Sequence, residues 1–488
     1  MRLLRAWVWV IALLGAVGTA ILLASPGAAK VAGPTFAPPV YVDQQLAGGE
    51  PEVFADTLHG TFVYTSHEGT THLYRDGIVM SPWGDFSFVS NYCNQVNVWT
   101  SPDVGTNWFR DRYLGTQCPT NPTYTGFSDP DLTQDAGGRV YDTGIDLVND
   151  ALFSSIDGGR TWDKGTGYCH DGDRPWLAGG KPDQVFMATD TVEGDRSGHQ
   201  VFVSNDGGNS CSAAGIPDNG PLPDGGSFTG DGKLYYDRLT GTLVEPAIFD
   251  HSDGTFGIGI STLPPGGSQF APHEAVRGTT MFAHWPAIAI DSAGTVYVTW
   301  DTDDRQAGTS GGCDGAPTPA PNSIMLVSTK NLGETWSAPL TVAHPGTRVL
   351  WPWMTAGDAG KVSVVWYQTE SQDGLPDLDC QPGHLHVMEA SLLGAAGTKP
   401  QKFIADAAGR PVHIGLVCQG GTLCVATGQD RRLGDYFTNT LDAQGCVLIA
   451  TGDTRLTDPA TGGPLPTARP LFIRQNGGPR LIGTGTCS

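Results

Sequence analysis

Arginine, tryptophan and aspartate recur together in short stretches of this chain. Arg174 and Trp176 flank Pro175, Trp351 and Trp353 flank Pro352, and Trp285 stands between His284 and Pro286. Further along, Asp303 and Arg305 lie in an acidic run that starts at Asp301, and Asp430 and Arg432 come shortly before Asp435 and Tyr436. Aromatic faces stack on pyranose rings, and carboxylate and guanidinium groups hold hydroxyls or charged substituents. Gathered at one place, these residues would bind carbohydrate. Each also has a plain structural use, since a Trp beside a Pro at a strand start often plugs a core and acidic loops are mostly solvated surface. Metal chemistry is less well supplied. His384 and His386 share one strand face but have no third ligand in the sequence. Asp301, Asp303 and Asp304 offer hard oxygens that suit Ca²⁺, yet no D-x-D-x-D-G loop accompanies them. No cofactor or metal is therefore expected, Ca²⁺ being the one cation the acidic loops would suit.

The charge balance excludes some partners. With 28 Lys and Arg against 50 Asp and Glu, the formal net charge is −22, which disfavours nucleic acid and anionic membrane surfaces. Residues 1–29 carry Arg2 and Arg5 ahead of an apolar run from Ala6 to Ala24 and then Gly27-Ala28-Ala29, the pattern of a secretory signal peptide. An uncleaved signal anchor is the alternative, and only then would a membrane be a partner. Residues 30–39 are Pro- and Gly-rich and read as a linker to a folded body over 40–488. Ten cysteines in an exported chain without C-x-x-C pairs imply disulfides. Cys418 and Cys424, on either side of Gly420-Gly421, are the pair the sequence makes most legible. A secreted monomer is expected.

The elements that must position these residues announce themselves through a repeat. Ser155-Ile-Asp157-Gly-Gly159-Arg-Thr-Trp162 reads as a hairpin turn in which Asp157 accepts from turn amides, Gly159 takes a positive φ and Trp162 packs into the next layer. Ser101 to Trp108 repeats the spacing with Asp103 and Gly105. Ser204 to Cys211 keeps Asp206 but replaces Trp by Cys, and Thr329 to Trp336 keeps the Trp but replaces Asp by Asn331. This S-x-D-x-G-x-x-W pattern resembles the Asp-box of bacterial neuraminidase (sialidase) repeats. The resemblance implies a β-propeller with these turns between the third and fourth strands of a blade. It covers architecture and not reaction, because Asp-boxes also occur in propellers that are not sialidases.

Strand pairs recur with a period of about 60 residues and roughly four strands per period, the mark of a closed ring of sheets. Their second strands begin near residues 60, 138, 184, 241, 294, 361 and 421. The expectation is an all-β, single closed propeller of four-stranded antiparallel blades, seven blades favoured over the six of sialidases proper. Pro470 to Arg474 is expected to pair with Val40 to Asp43 and close the ring. Repeat position puts Arg174, Trp176, Trp285, Trp351, Trp353, Asp303, Arg305, Asp430 and Arg432 at the channel face, with Tyr436 nearby. The resemblance to sialidases would require three Arg to clamp a carboxylate and a Tyr nucleophile paired with a Glu. The F-R-I-P type motif that carries the first such Arg is absent, and Glu245 and Glu274 are the nearest Glu by position. Two readings follow: an exported propeller that binds glycans or a protein surface at its channel face, or an exo-α-sialidase-type glycoside hydrolase with Tyr436 as its weak catalytic candidate.

Overall fold

The computed structural model describes residues 32–488 apart from 76–77, 79–95, 111–125, 146–149, 164, 168, 170–171, 192–197, 216–217, 282–283, 303–320 and 379. Seven antiparallel sheets follow one another around a ring, and each is one blade of a β-propeller. Blade 1 is built from Glu52–Asp56, Thr61–Ser66, Asn97–Ser101 and Phe109–Arg110. Blade 2 holds Ser128–Gln134, Val140–Ile145 and Asp150–Ser155, with Thr166 bridging to Leu152 where a fourth strand would run. Blade 3 is Asp173–Gly179, Val185–Thr191, Gly198–Ser204 and Ser212–Ala213. Blade 4 is Tyr235–Asp237, Thr242–Asp250, Phe256–Leu263 and Ala271–Arg277, and its long second strand also pairs with a preceding hairpin, Asn219–Pro221 and Ser227–Gly230. Blade 5 is Ala287–Ile290, Val296–Asp301, Ile324–Thr329 and Leu340–Ala343. Blade 6 is Val349–Ala356, Lys361–Thr369, Gly383–Leu393 and Gln401–Asp406.

Blade 7 combines both ends of the described chain. Thr438–Leu441, Val447–Asp453 and Arg469–Gly477 supply three strands, and Thr35–Phe36 with Val40–Tyr41 form its outer edge. Val40 faces Phe472 and Tyr41 faces Leu471, the closure expected from the sequence. Thr35 and Phe36, within the stretch read as a linker, pair with Gly477 and Gln475, so the folded body begins before residue 40.

The layering follows from burial. Second strands such as Thr61–Ser66, Val140–Ile145 and Val447–Asp453 are buried along their whole length, as expected of strands covered on both faces. Outer strands are short or alternate toward solvent, as in Ser212–Ala213 and Gln401–Asp406, which limits edge-to-edge association.

One repeat was misplaced by the sequence reading. His413–Gly415 does not begin the seventh blade but adds to blade 6 by pairing with Gly383 to Leu385. Leu423–Thr427 is a single helical turn ended by Gly428 at φ 70°. Blade 7 starts instead at Thr438, with a polar first strand that lacks an apolar signature.

The four repeated turns share one geometry, and each lies between the third and fourth strands of its blade. Ser155 Oγ donates to Asp157 at 2.9 Å and accepts from the Gly159 amide at 2.8 Å, while the Thr161 amide donates to Asp157 at 2.8 Å. The same three bonds recur at Ser101, Asp103, Gly105 and Asn107, and at Ser204, Asp206, Gly208 and Ser210. Thr329 and Asn331 reproduce them at 2.9, 2.9 and 3.0 Å, because an amide oxygen accepts as a carboxylate does. Trp162 is buried, and Trp108 and Trp336 are partly buried against the neighbouring blades. Cys211 stands where the third turn lacks its Trp, and it is bonded to Cys169. Cys418–Cys424 and Cys446–Cys487 are the other disulfides resolved in full among the described residues.

Candidate functional site

At the centre of the ring, four first strands begin with the same local device. Glu50, Asp129, Arg174 and Trp351 each precede a proline and each adopt a left-handed backbone, with φ of 46°, 50°, 57° and 54°. A residue before proline is normally held extended, and a non-glycine residue at positive φ is uncommon, so the repetition marks a conformation imposed by the surroundings. In blades 2, 3 and 6 a register shift at the same point lets the chain turn into the strand.

Three of these residues meet. Glu50, Asp129 and Arg174 line one narrow cleft together with Pro175, Trp176, Trp285, Asp435 and Tyr436, whose interior volume of ≈ 10 Å³ is about that of one water. The floor is aromatic. Trp176 contacts Trp285, Trp353 and Tyr436 at centroid separations of 5.4, 5.7 and 5.1 Å, and Trp353 stacks on Tyr436 at 5.7 Å. All four rings are buried, so they pack against one another and plug the channel, leaving little open face for stacking by a ligand. Tyr436 Oη donates to the Pro130 carbonyl at 2.7 Å.

Beneath the cleft Lys233 crosses the channel. Its Nζ donates to Glu52 at 3.0 Å and to the Leu132 carbonyl at 2.9 Å, and it pairs closely with Asp131. Glu52 in turn accepts from the Leu132 amide at 2.6 Å and Asp131 from the Leu177 amide at 2.5 Å, tying blades 1, 2, 3 and 4 together at the axis.

The rim is polar and strongly paired. Arg174 stands 4.9 Å over the Trp285 ring and faces Asp231 at 3.5 Å and Asp190 at 4.0 Å. Asp190 continues inward to His199 at 2.8 Å, whose other nitrogen meets Glu245 at 2.6 Å. Across the cleft Arg431 grips Asp435 with bonds of 2.7 and 3.0 Å, and the Asp435 amide donates to Glu50 at 3.0 Å. Behind Glu50, His72 Nε2 lies 2.9 Å from Oε1, and His67 stacks on His72 at 4.0 Å.

These surroundings set protonation. Burial, then repulsion from Asp435, pushes the Glu50 carboxyl up to about 8, and burial with the Glu50 charge raises Asp129 well above the carboxylate range. Burial also works against an ionised Asp435, but Arg431 and His284 more than offset it and hold that carboxyl well below its usual value. Burial pushes Asp231 up to about 6 despite Arg174. Burial first, then repulsion between the two rings and from Arg431, holds His67 and His72 far below the usual imidazole range, so both are neutral. Tyr436 is raised well above an ordinary phenol by burial and then by the Glu50 and Asp129 charges.

The residues singled out from the sequence divide accordingly. Arg174, Trp176, Trp285, Trp353 and Tyr436 converge at the axis. Trp351 is buried elsewhere on blade 6, with Nε1 donating to Gln419 at 3.2 Å and the ring against Tyr367. Asp430 and Arg432 pair with each other at 2.6 Å, and Arg432 spends its remaining donors on the Thr454 and Leu465 carbonyls, so this guanidinium holds a loop and does not reach the cleft. Asp303, Asp304 and Arg305 lie outside the described residues. Glu50, His67 and His72 escaped the sequence reading. Glu50-Pro51 repeats the residue-proline pairs at 129, 174 and 351 and could have been found by that signal, whereas nothing in the spacing points to the two histidines.

No family model matches the chain, and no curated protein does. Among solved structures it is similar to a protein of unknown function from Dyadobacter fermentans, at 13% identity over 91% of this chain and 99% of that one, with a TM-score of 0.43. A PL25 ulvan lyase is similar at 11% identity over 92% of this chain and 98% of that one, TM-score 0.46. A Trypanosoma rangeli sialidase is similar at 10% identity over 91% of this chain but only 58% of that one, TM-score 0.40. Likenesses at this level carry no argument about chemistry.

Proposed function

We propose that this chain is an exported propeller that binds a polar ligand of the carbohydrate class at its channel face, over the mouth of the axial cleft and against the polar rim around it. The observation that carries the reading is the convergence of Glu50, Asp129 and Arg174, each held in a left-handed pre-proline conformation, beside Asp435 over an aromatic floor. Strained residues from three blades aimed at one small cleft are the arrangement expected of a recognition site. Hydroxyls would be taken by the carboxyl groups and by Arg174, with the edge of Trp285 as the apolar wall. A protein surface is less well suited, because the aromatic rings are buried against one another and offer no outward apolar anchor.

The sialidase-type alternative has less to support it. Arg174 and Arg432 serve separate ion pairs, and Tyr436 donates to a backbone carbonyl while its phenol is made harder to ionise, the reverse of what a nucleophile needs. A catalytic role is not part of the proposal. Export is supported by the disulfides and by the apolar run of residues 6–24.

The test is a glycan array followed by calorimetry on the purified chain, with Arg174→Ala as comparator and a fluorogenic sialoside assay in parallel. Binding of a saccharide that Arg174→Ala weakens at least about tenfold is expected, the loss of one charge-assisted contact. Silence across the array, or turnover of the sialoside, would refute the proposal.

A further inference from the structure

Glu50, His72 and Asp129 present one ligand atom each within 4.8 Å of one another. They come from two different blades, and Glu50 and His72 are buried with Asp129 half-buried beside the cleft. We propose that these three side chains form a binding site for a divalent transition metal of the zinc class. Ligand atoms around a tetrahedral zinc at about 2.1 Å stand about 3.4 Å apart, and the three here lie within 4.8 Å of one another, with His72 Nε2 and Glu50 Oε1 at 2.9 Å.

Several independent features point the same way. Glu50 Oε1 accepts from the Asp435 amide and meets His72, which leaves buried Oε2 with the Asp129 carboxyl as its polar neighbour, so the two acids must share a proton or a cation. Two buried carboxyl groups in contact cannot both be ionised unless a cation lies between them. His72 Nδ1 is held by the Thr71 hydroxyl at 2.9 Å, which fixes the ring and directs Nε2 at Glu50, the orientation that an outer hydrogen bond gives to a metal-binding imidazole. Both nitrogens of His67 are buried without a hydrogen-bond partner, and that ring is stacked on His72.

The ligand set chooses the ion. An imidazole with two carboxylates suits zinc and, more weakly, manganese, while Ca²⁺ takes oxygen ligands alone. Because Glu50 and Asp129 also line the cleft, three protein ligands would leave a coordination position facing it. This inference is independent of the saccharide reading, and its test contains no saccharide.

The full chain is stripped with EDTA and titrated calorimetrically with ZnCl₂, MnCl₂ and CaCl₂, and its melting is followed with and without zinc. Wild type is expected to take one equivalent of Zn²⁺, to bind Mn²⁺ more weakly and Ca²⁺ not at all, and to melt higher with zinc by mass action. Asp129→Asn and His72→Gln are expected to lose affinity at least tenfold. His386→Gln, in a distant cluster whose imidazole is already held by Glu370 and Asp406, is expected to bind as wild type. If His72→Gln does not fold, the half-buried Asp129→Asn decides. Absence of zinc binding to wild type, zinc binding unchanged in Asp129→Asn, or Ca²⁺ bound as tightly as zinc overturns the proposal.

Discussion

Replacing Lys233 by Met tests how the axis of the ring is held. Lys233 and its partners Glu52 and Asp131 are all buried, with the lysine 8% exposed and Asp131 only 1%. Removing one member of a buried charge group leaves the others desolvated and unpaired, which costs about 3–5 kcal/mol. Unfolding entropy near 2.1 cal/mol/K per residue over about 450 residues is about 1 kcal/mol/K, so the melting temperature should fall by about 3–5 °C. A pH arm separates charge from packing. Asp131 is already pushed well above the carboxylate range by burial and by Glu52, and loss of the lysine removes the influence that lowers it. A carboxyl whose folded-state pKa lies above its unfolded value contributes stability at low pH and loses it as pH rises. The deficit of Lys233→Met relative to wild type should therefore be smaller at pH 5 than at pH 8. Scanning calorimetry at both values is the assay. A shift under about 1 °C, or a deficit that does not change with pH, would refute the view that charge pairing and not side-chain volume holds the axis.

Other outcomes follow from smaller features. His386 is raised by its bonds to Asp406 and Glu370, so its contribution is full below the unfolded imidazole value and is lost as pH climbs through the folded one; His386→Gln should lower the melting temperature at about pH 6 and have little effect well above neutrality. Removing Cys446–Cys487, with a sequence separation of 41, should cost about 4 kcal/mol by loop entropy, against about 2 for Cys418–Cys424 with a separation of 6; denaturant titration of the paired Ala variants checks the order, and equal losses would discount the entropic account. Val104 takes φ 56° where two sister turns have Gly158 and Gly207 at 74° and 75°. Val104→Gly should then stabilise by up to about 1 kcal/mol, and a destabilised variant would mean that the exposed Val side chain contributes more than its backbone costs.

The ring was legible in the sequence because its turns carry side chains with a fixed hydrogen-bonding task. Ser155, Asp157 and Gly159 cannot be exchanged freely, as a Cβ on Gly159 would lie 2.7 Å from Val63, so the motif persists where strands drift. The seventh unit failed for the opposite reason. Thr438–Leu441 is short and polar, while the apolar residues around 413–426 go to an added strand and a helical turn that periodicity over so few residues does not separate. At the site, Arg174, Trp176, Trp285 and Trp353 were found through proline pairs. Arg431 and Arg432 are adjacent on a loop, and no pattern tells which one turns to Asp435 and the cleft and which to Asp430. His67 and His72 lie beyond the end of Thr61–Ser66, where side-chain direction follows from tertiary packing alone.

The pairing of Val40 and Tyr41 with Phe472 and Leu471 has a consequence for how the molecule comes into being. Its two partners are separated by about 430 residues, so their contact becomes available only after the six intervening blades have been made. Until then the strand Arg469–Gly477 is absent and the nascent ring is an open arc with bare strand edges at both ends, the form most exposed to mispairing with other chains. Shutting the ring is thus a single late event that turns a row of six sheets into a body without a beginning or an end, and the cleft at its axis, shared by the first and last blades through Glu50 and Asp435, exists only after that event.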